Sequence, residues 1–442
     1  MRLLTAISRT APLALVLLSG CVAYQAHPLP DRPHWQPAPT QHGQPLTLRT
    51  ATSRALQGNP DYRAARLQAH VSQLQLKKAG LLPDPQFSAS IDSPVSSAYQ
   101  RGWSLGLTQD LGALIGRGSR LGAARARLAQ KRLQLVWKGW SLEQKTAADY
   151  VALWDARERI DLLKKHVHLL HVQLTALDQA LAQGDVTRQQ QAAALTSLSQ
   201  AQAQLAQARQ DRIQARQSLN DDMGVAPDSR YAVTAPERLP LPSRTVIDRA
   251  LAHLPESRPD LRALAAGYRA ADADFRAAVL AQFPGLSVNL NRASDTSGVL
   301  TNGFGINLSL PIFGRAQASA RLARATREQL HAAYQARLDS AQSQAVALYA
   351  RLREVQQRQQ VLHRQLRPLR QLAKDADSAF RAGHFSVAEW SLLQQQLIDR
   401  QTEALQARAT LAKGQVALSA LLGRADSRTQ TPPPSATDLH RP

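Results

Sequence analysis

Three histidines lie close together in the stretch "KKHVHLLH", at positions 166, 168 and 171. If this stretch is helical, His168 and His171 share one face at a spacing of three residues, and imidazole nitrogens placed in this way can bind a metal ion. No carboxylate or cysteine stands beside them to complete the set of ligands. We therefore predict that His166, His168 and His171 are solvated histidines along a helix and that there is no metal site, with metal binding left as the alternative.

The glycine-rich stretch "GRGSRLG", from Gly116 to Gly122, is the other pattern that could carry chemistry. A dinucleotide-binding turn needs the spacing G-x-G-x-x-G and an acidic residue further along the chain. The spacing here is G-x-G-x-x-x-G and no acidic residue stands at a suitable distance, so we reject a nucleotide site. No catalytic triad, HExxH motif or paired-carboxylate pattern is recognisable either. We predict a protein that is not an enzyme, with no catalytic residues and no cofactor apart from a covalent lipid.

That lipid is predicted at the only cysteine, Cys21, which follows a short apolar run. Basic residues precede the run and small residues follow it, as in a secretory signal. About nine apolar residues are too few to span a bilayer of roughly 30 Å. The sequence "LSGC" resembles the bacterial lipobox, which predicts a signal peptide over residues 1–20 and a lipid-anchored extension over residues 21–45. Val22 at the next position predicts outer membrane sorting, and an ordinary signal peptide is the alternative.

The chain has a formal charge of +21, but its basic residues are spread along the sequence rather than collected in one block. We interpret them as solvated helix faces, and because an exported protein does not normally meet nucleic acid, none is expected as a partner. A single cysteine excludes a disulfide within the chain. The low aromatic content of 5%, in a sequence rich in alanine, glutamine, leucine and arginine, favours long helices over a compact enzyme.

The second half of the sequence repeats the first at an offset of about 200 residues. "NPDYRAARL" corresponds to "RPDLRALAA", and "ALAQGDVT" corresponds to "AFRAGHFS", which aligns Gly184 with Gly383. The matching parts occur in the same order in both halves, which indicates a duplication. We assign the first repeat, the proline-rich linker, the second repeat and a disordered tail to residues 46–224, 225–245, 246–424 and 425–442.

Each repeat contains two stretches in which apolar and polar residues alternate, which predicts strands at about 84–92, 102–110, 285–293 and 303–311. These lengths suit tilted transmembrane strands, although a soluble sheet packed on helices would give the same alternation. Four strands cannot close a barrel, and open edges cannot lie in lipid. We therefore expect copies of the chain to pool their strands, and three copies would give twelve strands and room for a lumen.

The remaining sequence shows helical periods. Apolar residues from Ile160 to Leu181, and again from Leu330 to Val355, recur at alternating spacings of three and four, which indicates coiled-coil packing. Long helices are expected at about residues 113–183 and 316–382, each roughly 100 Å long. The helices before the strands and at the end of each repeat are expected to have a medium length of about 37 to 41 residues. Pro368 is expected to interrupt and kink the second long helix.

In their duplicated order, the motifs "ALQGNPDYRAARL", "GLLPDPQFSAS", "AFRAGHFSVAEWSLLQQQL" and "ALSALLG" resemble the TolC-type outer membrane efflux protein family over about residues 45–424. The lipobox is similar to that of the lipoprotein branch of this family. The resemblance implies a mainly α fold with a membrane β-barrel: a homotrimer with a twelve-stranded barrel, four strands per chain, continued by a long α-helical coiled-coil barrel in the periplasm. It also implies a passive duct for small toxic compounds, with a periplasmic adaptor protein, a proton-driven inner-membrane pump and outer membrane lipid as partners.

The resemblance also implies roles for individual residues. Gly184 and Gly383 would form the turns at the helix tips, where the family narrows its periplasmic end with acidic rings. Glu389 occupies one of the family's acidic positions, and Gln190 stands at the equivalent place in the first repeat. Leu392 replaces a second acid that some members carry. Glu389 and Gln190 are therefore candidates for the pore constriction, and a solvated glutamate on a helix surface is the alternative for Glu389.

Two other functions are compatible with the sequence. The chain could be the exit duct for type I protein secretion rather than for small compounds, and the lipid anchor favours efflux only by analogy. It could also be a lipid-anchored periplasmic coiled-coil scaffold whose strands pack on helices and never enter lipid. Pore formation after detergent extraction would distinguish a duct from a scaffold.

Overall fold

The computed structural model describes residues 24–37, 44–96, 98–237 and 240–423. Contacts divide the chain into two units, residues 1–35 and 36–442. In the first unit, the described residues form neither helix nor strand and are exposed to solvent. All the helices and strands below belong to the second unit. The predicted signal peptide, Cys21 and the tail after residue 424 lie outside the described residues.

The first repeat contains two helices, a hairpin, a one-turn helix and two longer helices. In chain order these are α1 (Leu48–Gly58), α2 (Pro60–Gly80), β1 (Gln86–Asp92), β2 (Gly102–Asp110), α3 (Gly112–Ile115), α4 (Arg117–Gln183) and α5 (Arg188–Met223). The second repeat has the same order except that its one-turn helix lies before the strands instead of after them: α6 (Arg244–Ala252), α7 (Leu254–Ser257), α8 (Pro259–Leu280), β3 (Gly285–Ser294), β4 (Leu300–Ser309), α9 (Arg315–Arg381) and α10 (Val387–Leu421). The mainly helical fold with four strands that the sequence predicts is confirmed.

The four strands form one antiparallel sheet in the order β1-β2-β3-β4. The β3–β4 turn is organised by Asp295, whose carboxylate accepts hydrogen bonds from the backbone N–H groups of Ser297 and Val299, both at 2.9 Å. Strand β4 therefore begins at Leu300, three residues before the predicted start. It ends at Ser309, shortly before Pro311, because proline has no N–H to offer the ladder.

Helix α4 is the central element, since it packs against α1, α2, α5, α8 and α10. The heptad seam predicted along it is confirmed: Ile160 and Leu163 pack against Leu205 of α5, and Leu170 packs against Leu198. Each such leucine or isoleucine contributes about 1.5–3 kcal/mol when it is fully buried. The seam therefore fixes the register of the α4–α5 pair, and with it the position of the turn that joins them.

A second core surrounds Tyr150 in the middle of α4. Its hydroxyl donates to the carbonyl of Leu46 at 2.8 Å and accepts from the backbone N–H of Thr234 at 3.0 Å. Leu46 and Val233 are paired by an isolated parallel bridge. The segment before α1 and the linker between the repeats are thus both held to α4 through one buried tyrosine. This contact places the linker beside the long helix.

Two expectations about the helices are wrong. Helices α5 and α10 have 36 and 35 residues, but α2 and α8 have only 21 and 22, well short of the predicted medium length. Both α2 and α8 begin with a proline, because the missing N–H costs nothing in the first turn, and the residue before each proline is extended. Helix α9 continues through Pro368, so this residue does not interrupt it, and the kink stays a prediction.

Among the residues that the structure describes, none of the helices combines the length and the apolar character needed to cross a membrane.

Candidate functional site

The sheet has one apolar face whose side chains are exposed. Phe87 of β1 is 70% exposed, and Phe304 and Ile306 of β4 are 67% and 58% exposed. Strands β1 and β4 lie at the two edges of the sheet, and the outer edge of each pairs with no further strand among the described residues. Large aromatic and aliphatic groups in this position are a liability in water, because they and the open backbone edges favour association. We therefore expect the apolar face and the two open edges of the sheet to be in contact with another molecule.

The opposite face of the sheet is small and polar, and its glycines have a steric role. Asn289 and Asn291 of β3 are paired with Gly305 and Gly303 of β4. A methyl group on Gly305 would lie within the space occupied by the Asn289 side chain, and one on Gly303 would overlap that of Asn291. Glycine at these two positions allows the asparagine amides to lie flat over the neighbouring strand. The result is a small, polar face opposite the apolar one.

The far ends of the long helices are closed by two matching turns. Gly184 and Gly383 have φ angles of 84° and 77°, a left-handed conformation that glycine adopts without steric cost. After each turn the next helix begins with a capping box. In this motif the side chain of the N-cap residue accepts from the backbone N–H three residues later, and the side chain of that later residue accepts from the backbone N–H of the N-cap residue. In the first repeat the box joins Thr187 and Gln190, and in the second it joins Ser386 and Glu389.

Glu389 is held in a defined geometry although it is fully exposed. Its carboxylate accepts from the hydroxyl of Ser386 at 2.6 Å and from the backbone N–H of Ser386 at 3.0 Å. These bonds, the side-chain bond first, lower the pKa of the Glu389 carboxyl, so the group is an anion at neutral pH. The spacing Ser-x-x-Glu was visible in the sequence but was not interpreted as a cap. The capping role and a role at a constriction are compatible, because one carboxylate oxygen can face solvent.

A buried ion pair lies at the start of α8, in the second repeat. Arg258 is completely buried and its guanidinium donates to both oxygens of Asp260, at 3.0 and 2.7 Å. Arg337 of α9 donates to the same carboxylate at 2.7 Å, and both arginines lie over the ring of Trp137 of α4. Burial by itself would raise the pKa of the Asp260 carboxyl, but Arg258 and then Arg337 together lower it. The cluster connects α4, α8 and α9.

The first repeat has an equivalent contact between the ends of two helices, without the ion pair. Arg258 donates to the carbonyl of Leu421 at 2.9 Å, and the aligned Asn59 donates to the carbonyl of Asp222 at 3.1 Å. These bonds connect the starts of α2 and α8 to the ends of α5 and α10, the last helix of each repeat. Sequence alignment paired Asn59 with Arg258, but the shared contact needed the tertiary structure, since the bonded residues lie 163 positions apart in both repeats.

The other candidates from the sequence lie on α4. The segment from Gly116 to Gly122 forms the cap and first turns of this helix, which leaves no loop to hold a phosphate. His171 lies 3.5 Å from the amide of Gln202. His166 is half-buried, and burial lowers its pKa. Within the described ranges, no group of three or more histidine, cysteine or acidic residues is arranged to hold a metal ion.

Residues 249–424 match the family model for the outer membrane efflux protein. Over these residues the chain is similar to the outer membrane efflux protein family. The resemblance inferred from the sequence motifs is thereby confirmed. No curated protein sequence matches the chain significantly.

Solved outer membrane channels extend the likeness to the whole fold. The open state of the Neisseria gonorrhoeae MtrE outer membrane channel has a TM-score of 0.70 and 21% identity, covering 87% of this chain and 91% of that chain. The outer membrane protein VceC from Vibrio cholerae has a TM-score of 0.69 and 19% identity, covering 86% and 96%. The Campylobacter jejuni CmeC outer membrane channel has a TM-score of 0.70 and 16% identity, covering 85% of each chain. The family and these structures are channels rather than enzymes.

Proposed function

We propose that three copies of this chain form a passive outer membrane duct of a tripartite efflux system. In this assembly the sheets close into a twelve-stranded barrel in the outer membrane, and the long helices continue it as an α-helical barrel through the periplasm. An inner-membrane pump, proton-driven, and a periplasmic adaptor protein deliver small toxic compounds such as drugs or metal ions. The proposal includes acylation of Cys21, which tethers each chain to the outer membrane.

The observation that carries this proposal is the four-stranded sheet with two open edges and an exposed apolar face. Lipid cannot satisfy the free N–H and C=O groups of β1 and β4, so the sheet can enter a bilayer only if each edge pairs with another strand. Strand β1 runs antiparallel to β2, and the sheet contains an even number of strands. The β4 edge of one copy can therefore continue into the β1 edge of the next with the same antiparallel alternation. Three copies give a barrel wide enough for a lumen.

The faces of the sheet fit this closure. The apolar side chains of Phe87, Phe304 and Ile306 would contact lipid, and the polar face of Asn289 and Asn291 would line the lumen. Strands β2, β3 and β4, with 9 or 10 residues each, match the length of tilted strands in membrane barrels, and β1 is shorter with 7 residues. Helices α4 and α9, with 67 residues each, would extend roughly 100 Å from the barrel. That reach allows the helix tips to meet a partner deep in the periplasm.

Planar-bilayer recording on the detergent-extracted full-length protein tests the proposal, together with chemical cross-linking of the same sample. We expect cross-linked trimers and stable ion-conducting events. A lipid-anchored scaffold would give no conductance, and a sample that cross-links only to monomers would contradict the shared barrel. Genomic neighbours of the coding sequence would then distinguish efflux from type I protein secretion, through a proton-driven pump in the first case and an ABC exporter in the second.

We also propose that three copies of Glu389 face the pore at its periplasmic end and favour cations. The capping box supports this assignment, since it holds each carboxylate at a fixed position and keeps it ionised. Like charges placed around a narrow passage focus the electric field and attract counter-ions. Gln190 occupies the same position in the first repeat, so the three-copy ring would alternate charged and neutral caps.

The variant Glu389→Gln tests the charge without removing the cap, because Gln190 already fills the same role with an amide. We expect reduced cation selectivity in reversal-potential measurements under a salt gradient, with no change in trimer stability. Gln190→Glu is the matched reciprocal variant and should increase cation selectivity. Unchanged selectivity in both variants would show that Glu389 is a solvated surface residue.

A further inference from the structure

A cavity of about 530 Å³ lies between α4, α5 and the linker residues 230–233. Its lining has two chemical parts. Apolar side chains of Leu153, Ile160 and Val233 form one part. The other part is basic and consists of five positively charged side chains: Arg157, Lys164, Arg212, Arg216 and Arg230. The volume is within the range of sites that bind small molecules.

Most of the positive charge in this cavity is not paired with acidic groups of the described residues. Asp161 is the acidic residue in the lining, and it pairs with Lys164 at 3.7 Å. Asp211, on the neighbouring turn of α5, pairs with Arg159 at 3.5 Å. Across the described part of the chain, none of the four arginines in the lining forms an ion pair with an acidic group. Four uncompensated guanidinium groups repel one another, and a bound anion would remove that repulsion.

One of these arginines also has a hydrogen-bond donor that is buried and unpaired. The Nε–H group of Arg212 is shielded from solvent and has no hydrogen-bond partner among the described residues. A buried donor without an acceptor is costly and is normally satisfied in a native structure. Tyr231, at the same cavity, donates its hydroxyl hydrogen to the side-chain oxygen of Asn220 at 2.7 Å, and its oxygen is not bonded to the Arg212 Nε–H group. The cavity therefore offers a place for an acceptor that the chain itself does not supply.

We propose that this cavity binds a small phosphate monoester that carries an apolar group. Guanidinium groups match the geometry of phosphate oxygens with paired hydrogen bonds, and a doubly charged phosphate compensates several arginines better than a carboxylate does. The apolar part of the lining would contact the substituent. Lining residues of α4 lie about 55–70 Å from the start of that helix, so under the proposed function the site faces the periplasm. The binding itself does not depend on pore formation.

Isothermal titration calorimetry of the full-length protein in detergent tests this site, with phenyl phosphate as the probe. Inorganic phosphate is the second probe, and it should bind several-fold more weakly if the apolar part of the cavity takes part. The test variant is Arg212→Gln with Arg216→Gln. The control is Arg125→Gln with Arg188→Gln, which removes the same charge from exposed positions of α4 and α5 outside the cavity.

We expect the test variant to lose at least about tenfold in affinity for phenyl phosphate, and the control to change by less than about twofold. Equal losses in both variants would mean that the probe binds only to the general positive charge of the chain, which would overturn the proposal. Absence of binding by the unmodified protein up to about 10 mM probe would overturn it as well. Arg230→Gln lies on the linker and leaves both helices intact, so it provides the same test if the first variant does not fold.

Discussion

A pair of neighbouring substitutions in β4 tests whether the sheet lies in lipid. Ile306 is 58% exposed on the apolar face and pairs with Val288. The next residue, Asn307, points to the opposite face and pairs with Ser287. Ile306→Arg and Asn307→Arg introduce the same charge at adjacent positions of one strand. They differ only in the face that receives it.

The expected size of the effect follows from the position of Ile306 in the strand. Ile306 is the seventh of the ten residues of β4, which puts it within roughly 4 Å of the middle of a tilted strand. Arginine facing lipid near the bilayer midplane costs about 2–4 kcal/mol, so a trimer would lose roughly 6–12 kcal/mol. Arginine at Asn307 would face the water-filled lumen and cost little. A large difference between two adjacent positions is therefore expected.

Two measurements follow the consequences of these substitutions. Urea titration of the protein reconstituted in lipid vesicles reports the free energy of insertion, and reversal potentials in planar bilayers report ion selectivity. We expect Ile306→Arg to insert poorly, and Asn307→Arg to insert normally but shift selectivity toward anions. If Ile306→Arg assembles and conducts as well as Asn307→Arg does, the apolar face is not in lipid and the barrel account is wrong.

Two further predictions concern stability. Arg258→Met should lower the free energy of unfolding in urea by about 3–5 kcal/mol, because it leaves the Asp260 carboxylate buried with one partner fewer. The control Arg262→Met, on the exposed side of α8, should lower it by less than about 0.5 kcal/mol. The pKa of the Asp260 carboxyl is lower in the fold than in the unfolded chain, so its ionised form stabilises the fold. This stabilisation is complete above the unfolded pKa of about 3.9 and is lost as the pH falls through the folded value. The free energy of unfolding should therefore decline in acid, and it should decline less in Arg258→Met. Gly383→Ala should destabilise the helix tip by about 1 kcal/mol, because its backbone is in the left-handed conformation that disfavours a Cβ atom. Gly118→Ala, in the first turn of α4 with free space around it, should instead stabilise the protein by up to about 1 kcal/mol. Hydrogen exchange and thermal melts distinguish the two variants, and changes of the same sign would contradict the backbone argument.

Much of the fold was predictable because it depends on local patterns. Alternation of apolar and polar residues indicated the four strands, and the three-four spacing after Ile160 indicated the seam with α5. Both patterns arise from side-chain direction within one element, which is a property of neighbouring residues. The capping boxes at Thr187 and Ser386 were equally local, with partners three residues apart, and could have been inferred from Ser/Thr-x-x-Glu/Gln.

The tertiary structure decided which distant groups meet. Arg337 reaches Asp260 across 77 residues, and the arginines of the phosphate cavity come from α4, α5 and the linker. The sequence by itself indicated the fold family, the duplicated order of elements and an even spread of positive charge, interpreted as solvated helix faces. Packing of the α4–α5 seam and the attachment of the linker to Tyr150 instead bring part of that charge into one cavity. Contacts of this kind depend on the register between whole helices, a quantity that no single stretch of sequence contains.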